Sequence, residues 1–127
     1  MVTSAACAEE GSLAVCGSTT APQAPGSPAR FTVTVPRLDG TFTGTGDLFA
    51  SVLLARISRD PTALAPAVEA TVASVQAVLA GTLAAAGDAA LTHERSAAVC
   101  AARELRLVQC QGAIQRPEVT HRAVPFA

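Results

Sequence analysis

One carboxylate stands at a glycine-punctuated junction in the run Phe42-Thr43-Gly44-Thr45-Gly46-Asp47-Leu48-Phe49-Ala50. Gly44 and Gly46 carry no Cβ, so the backbone there can approach a ligand closely. The amides that follow belong to the first turn of a helix, where unpaired N–H groups and the helix dipole favour an anion. A carboxylate at such a place would repel phosphate, and that conflict points to a chemical role for Asp47 as a base beside a phosphoryl group. The competing explanation is an acid that stabilises a helix start, worth about 1 kcal/mol.

Elements on either side must hold this junction. Upstream, Val2-Thr3-Ser4 reads as the end of a strand, and Leu13 to Ser18 as a short strand. Phe31-Thr32-Val33-Thr34-Val35 alternates apolar and hydroxylated residues at period two, the pattern of a half-buried strand. Pro36 ends or edges it, because proline cannot donate to a ladder. Between the last two strands, residues 19–29 hold three prolines among Ser, Thr, Gly and Gln, which predicts a flexible connection and a hairpin with a long tip.

Downstream the period changes. Leu48, Phe49, Val52, Leu53, Leu54 and Ile57 give a broad apolar helix surface, expected to be buried nearly all round. Asp60-Pro61 predicts an N-cap and first position for the next helix. Leu64, Val68, Val72, Val75, Leu79 and Leu83 then form one stripe, with Pro66 in the first turns, where its missing amide costs little. Gly87-Asp88 breaks the pattern, a third helical stretch is expected from about Glu94 to Gln111, and residues 119–126 read as an extended tail after Pro117. Glu104 and Arg106 read as solvated helix charges and His93 and His121 as surface residues. Strands first and helices afterwards indicate an α/β unit. A strand at the first residue further suggests the second part of a larger fold.

Composition removes several alternatives. The chain has 127 residues, enough for one domain with a real core. A net charge of −1 lacks the basic face that nucleic-acid binding requires. All nine cations are Arg, so no lysine serves phosphate binding or Schiff-base chemistry. Cys7, Cys16, Cys100 and Cys110 form no C-x-x-C pair and lie far from either histidine, so they read as free, structurally buried thiols of a reducing cytosol rather than metal ligands. The opening residues lack the basic and apolar regions of a secretory signal, and the Ala-rich stretch 62–86 reads poorly as a membrane span.

The run 42–50 and its flanks resemble pyridoxal kinase, within the ribokinase-like small-molecule kinases. The resemblance extends from Val35-Pro36-Arg37-Leu38-Asp39 through Gly44-Thr45-Gly46-Asp47 to Leu53-Leu54-Ala55, and returns at Glu104 to Gln109 and Arg116 to Val119. Sugar kinases of the superfamily commonly carry Gly-Ala-Gly-Asp at this point, and hydroxymethylpyrimidine kinases tend to replace the aspartate with cysteine. Gly-Thr-Gly-Asp followed by Leu48-Phe49-Ala50 looks most like the eukaryotic type of pyridoxal kinase.

The resemblance implies the C-terminal, ATP-side portion of a three-layer α/β fold, spanning residues 1–127. It implies ATP-dependent phosphorylation of the hydroxymethyl group of pyridoxal, pyridoxine or pyridoxamine. Asp47 would take the hydroxyl proton, and the amides of Gly44, Thr45, Gly46 and Asp47 would form an anion hole. Thr3 and Ser4 would bond ATP phosphates, while Val35, Leu38, Phe42 and Thr45 would line the nucleotide pocket. A divalent metal (Mg or Zn) and a monovalent cation are implied, with no metal ligand in this chain. So are a homodimer and a cytoplasmic location, with neither nucleic acid nor membrane as partner. The family's N-terminal region, which supplies the vitamin pocket, the lid and the acidic residues near the metal, has no counterpart here. The chain is therefore expected to be inactive alone; the alternative is a non-catalytic interaction protein derived from the kinase.

Overall fold

The computed structural model describes residues 2–6 and 10–126. Three strands come first: β1 (Val2–Ala6), β2 (Ser12–Ser18) and β3 (Arg30–Pro36). Two main helices follow, α1 (Thr45–Arg59) and α2 (Leu64–Ala86), and a 3₁₀ turn (Gly87–Ala90) closes the second. The remainder holds two short helices, α3 (Ala97–Ala102) and α4 (Gln111–Gln115), and a two-residue strand β4 (Val124–Pro125). The strands form one antiparallel sheet in the order β1-β2-β3-β4.

Alternation on β3 works as its sequence dictates. Phe31, Val33 and Val35 turn inward and are buried, while Thr34 is exposed. They meet Val15 of β2 and Ala65, Val68 and Val72 of α2 in a single core. Gly17 sits opposite Phe31 in the ladder, and a Cβ placed there would lie 2.3 Å from Phe31 Cζ. The bare glycine is what lets the one fully buried aromatic ring lie flat on β2. Residues 19–29 bridge the hairpin and reach across to the α1–α2 corner. The amide of Ala24 donates to the Thr62 carbonyl at 2.9 Å, and Gln23 Oε1 accepts the Leu64 amide at 3.1 Å.

Helix α2 buries a broader face than the expected stripe. Val68, Val72 and Val75 of the stripe are buried, and so are Thr71, Ser74, Val78 and Thr82 along one flank of it. The hydroxyls of Thr71 and Thr82 donate to the carbonyls of Ala67 and Val78, so each buried donor is satisfied within the helix. This helix is long and apolar enough to cross a membrane by length and composition, but here it is the central packing element, with nine buried residues.

Three expectations need correction. Helix α1 buries no residue completely, and Leu54 is 62% exposed, because only the side carrying Phe49 and Leu53 meets the core. Helix α2 begins at Leu64 rather than Pro61: the Asp60 carboxylate accepts both the amide and the hydroxyl of Thr62, making a local turn in place of a cap. Pro66 accordingly falls in the first turn. The continuous helix from Glu94 to Gln111 is replaced by α3, an extended segment and α4. The extended segment exists because Glu104 forms a parallel bridge with Thr43, a long-range pairing that helical geometry cannot make. Glu104 and Arg106 are therefore not helix-surface charges.

Candidate active site

The junction read from the sequence is where α1 starts. Gly44 precedes the helix with φ 87° and ψ 7°, a left-handed conformation that suits a residue without Cβ. Its carbonyl accepts the Leu48 amide at 3.0 Å, the first rung of the helix. The amides of Thr45, Gly46 and Asp47 come before that rung, and no side chain caps them. Three unpaired donors at the positive end of the helix dipole make this turn a candidate site for an anion.

The turn is held from behind. The Thr41 amide donates to the Ala90 carbonyl at 2.9 Å, and Thr43 pairs with Glu104. Leu105 closes over Gly44, its Cδ1 3.9 Å from the position a Cβ would take. The amide of Arg106 in turn donates to the buried Thr82 hydroxyl at 3.0 Å. Arg103, only 7% exposed, donates from Nε to the Ala89 carbonyl at 3.1 Å and so fixes the segment that receives Thr41. Sequence reading missed this residue; an arginine behind the Ala-rich run 97–102 carries no periodic signal of its role.

A cavity of about 430 Å³ opens on one side of the turn, lined by Thr43, Gly44, Asp47, Leu48, Ser51, Glu104, Leu105 and Leu107. Asp47 is exposed there and has no hydrogen-bond partner among the described residues. Glu104 brings a second carboxylate to the same cavity, which the sequence alone did not suggest.

On the opposite side lies an apolar cavity of about 410 Å³, whose wall includes Val35, Thr45, Gly46, Phe49 and Gln76. Of the four residues expected to line a nucleotide pocket, Val35 and Thr45 meet in it. Leu38 is half-buried outside its wall, and Phe42 packs over Gly40, its Cζ 2.9 Å from where a Cβ would stand. Thr3 and Ser4 lie on β1, opposite Cys16 and Val15 of β2. The Gly44–Asp47 turn thus forms a partition, with an apolar pocket on one side and a carboxylate-bearing cavity on the other.

The three unpaired amides fit a phosphate group. A divalent metal finds no such match: among the described residues no three His, Cys, Asp or Glu side chains converge. Cys16 and Cys110 are half-buried free thiols, Cys100 is exposed contrary to the expected burial, and Cys7 lies outside the described residues. His93 is exposed, while His121 Nδ1 lies 3.0 Å from the Thr120 hydroxyl.

A mixed α/β unit whose antiparallel sheet leads through a left-handed glycine into a helix start has the architecture of a ribokinase-like chain. Among solved structures it is similar to pyridoxal kinase from Leishmania donovani in complex with ADP, with TM-score 0.65 and 27% identity over 91% of this chain and 35% of that one. Pyridoxal kinase from Entamoeba histolytica shares the fold at TM-score 0.64. In sequence the chain is 36% identical over 94 residues to human pyridoxal kinase, covering 74% of this chain and 30% of the relative. It is 33% identical over 100 residues to pyridoxal kinase of Arabidopsis thaliana, covering 79% and 31%. No protein-family model matches. The chain is pyridoxal-kinase-like and spans about a third of the length of the relatives it matches.

Proposed function

We propose that this chain supplies the nucleotide-phosphate side and the base of an ATP-dependent kinase acting on the hydroxymethyl group of B6 vitamers. The observation that carries this reading is the placement of an unpartnered Asp47 carboxylate in the same first helical turn as the free amides of Thr45, Gly46 and Asp47 itself. The nucleotide's phosphates would lie on the amides of Thr45, Gly46 and Asp47, whose fixed dipoles offset charge developing on the transferred group. Asp47 would take the proton of the acceptor hydroxyl as its oxygen attacks the γ-phosphorus. An aspartate is a weak base, so its contribution depends on position more than on basicity. The solved relatives in complex with ADP, and with ADP and pyridoxine, support both ligand classes.

The chain spans about a third of the length of its relatives, and on this reading its turn and carboxylate act as a half-site. Alignment of hydroxyl and γ-phosphate can be worth roughly 7–11 kcal/mol, and a half-site forgoes it. The chain alone is therefore inactive, and joining it to the N-terminal region of a pyridoxal kinase restores turnover. Assay of pyridoxal phosphorylation by both forms tests this. Robust turnover by the 127-residue chain would overturn the half-site, and silence of a folded, joined protein would favour a non-catalytic interaction role.

A further inference from the structure

A cluster of three arginines lies away from the helix start. Arg56, Arg59 and Arg116 line one cavity of about 580 Å³ between the C-terminal half of α1 and α4, together with Ser51, Val52 and Ile114. No carboxylate belongs to its wall. Among the described residues the one ion pair joins Arg122 to Glu69, so these three cations have no acidic partner there. The nearby Asp60 carboxylate is taken by Thr62.

Arg56 is built into the fold and incompletely satisfied. Its Nη2 donates to Ser74 Oγ at 3.1 Å and to the Ile114 carbonyl at 2.8 Å, while its Nε is buried without a partner. A buried, unpaired N–H on a cation is costly unless a ligand completes it. Desolvation and the neighbouring charge of Arg59 both lower the Arg56 pKa, as expected of a cation lacking a counter-ion. Favourable interaction with the C-terminus of α1 accounts for Arg56 and Arg59 singly, since both lie in its last turn. It does not account for Arg116 arriving from another element onto the same cavity.

We propose that this cavity binds a phosphate ester of a small organic molecule, with the phosphate among Arg56, Arg59 and Arg116 and the organic body on Val52, Ala55 and Ile114. Guanidinium forks match phosphate oxygens in geometry as well as charge, and a doubly charged group calls for more than one of them. The apolar floor and the volume exceed what free phosphate needs. The cavity meets the Asp47 cavity only at Ser51, and Arg56 lies about 13 Å along α1 from Asp47, so the two anion sites are separate.

Titrating the isotopically labelled 127-residue chain with phenyl phosphate, and separately with inorganic phosphate, tests the site. Phenyl phosphate should shift the Arg56 Nε–H signal and the amides of Ile114, Gln115 and Arg116, and should bind more tightly than inorganic phosphate. The double variant Arg59→Gln/Arg116→Gln, at two exposed positions, should weaken that binding by about tenfold or more. Should it fail to fold, Arg116→Gln alone should weaken binding several-fold. Shifts confined to Gly44–Asp47, unchanged affinity in a folded variant, or equal affinity for both probes would each overturn the proposal.

Discussion

The buried hydroxyl of Thr82 accepts the amide of Arg106 at 3.0 Å, tying the centre of the fold to the segment that walls the candidate active site. Two residues before Arg106, Glu104 pairs with Thr43, so a hydroxyl on the core helix α2 sets the height of the loop that enters Gly44. The geometry of the Gly44 turn is thus inherited from α2 packing.

Replacing Thr82 with valine keeps its shape and removes the acceptor. The Arg106 amide, partly buried, would lose its partner at a cost of about 1–3 kcal/mol. Urea denaturation should show that loss, and amide exchange at Leu105 and Arg106 should accelerate more than at the β2–β3 ladder. Uniform acceleration across the chain would show that Thr82 acts on global stability alone.

Gly44→Ala isolates the backbone requirement of the turn. The nearest atom to the new Cβ would be Leu105 Cδ1 at 3.9 Å, so no clash arises. The cost is the left-handed φ of 87°, roughly 1–2 kcal/mol. A lowered thermal midpoint with weaker phosphate binding is expected; an unchanged midpoint would mean that the helix can start without this conformation.

In the protein joined to a kinase N-terminal region, Asp47→Asn should lower kcat by about 10²–10⁴-fold and leave the KM for ATP nearly unchanged. The variant removes the base while sparing the backbone donors of Thr45, Gly46 and Asn at the same position. A rise in KM at constant kcat would assign Asp47 to binding instead.

Asp60 gives the fold a small acid sensitivity. Hydrogen bonds from the Thr62 hydroxyl and amide hold its carboxyl below the ordinary aspartate range. A folded pKa below the unfolded one contributes stability that is present above the unfolded value and lost as pH falls through the folded one. Wild type should therefore lose an increment of stability on the acid side of the ordinary aspartate range that Asp60→Ala lacks. The group is fully exposed, so the increment is small. Parallel acid limbs in the two proteins would show that the Thr62 contacts do not form in solution.

Local pattern made β3 and the start of α1 legible. A period-two alternation can bury one face only, which fixed Phe31, Val33 and Val35 inward, and glycines ahead of an apolar run marked the turn. The buried flank beside the stripe of α2 was not legible, because Thr71, Ser74 and Thr82 are polar types. They become core residues only once their hydroxyls are satisfied at carbonyls of α2 itself, at the α4 segment or at Arg106.

The sequence by itself determined the glycine turn at the start of α1 and the carboxylate beside it, since backbone conformation and a neighbouring side chain are local properties. Tertiary structure alone decided that Glu104 shares the Asp47 cavity, that Arg103 and Thr82 brace it, and that three arginines meet between α1 and α4. Those relations join residues far apart in the chain, and their cause is packing against α2, which no short-range period encodes. The break of the expected third helix has the same origin: the Thr43 pairing at Glu104 outweighed the helical preference of an Ala-rich, locally periodic stretch.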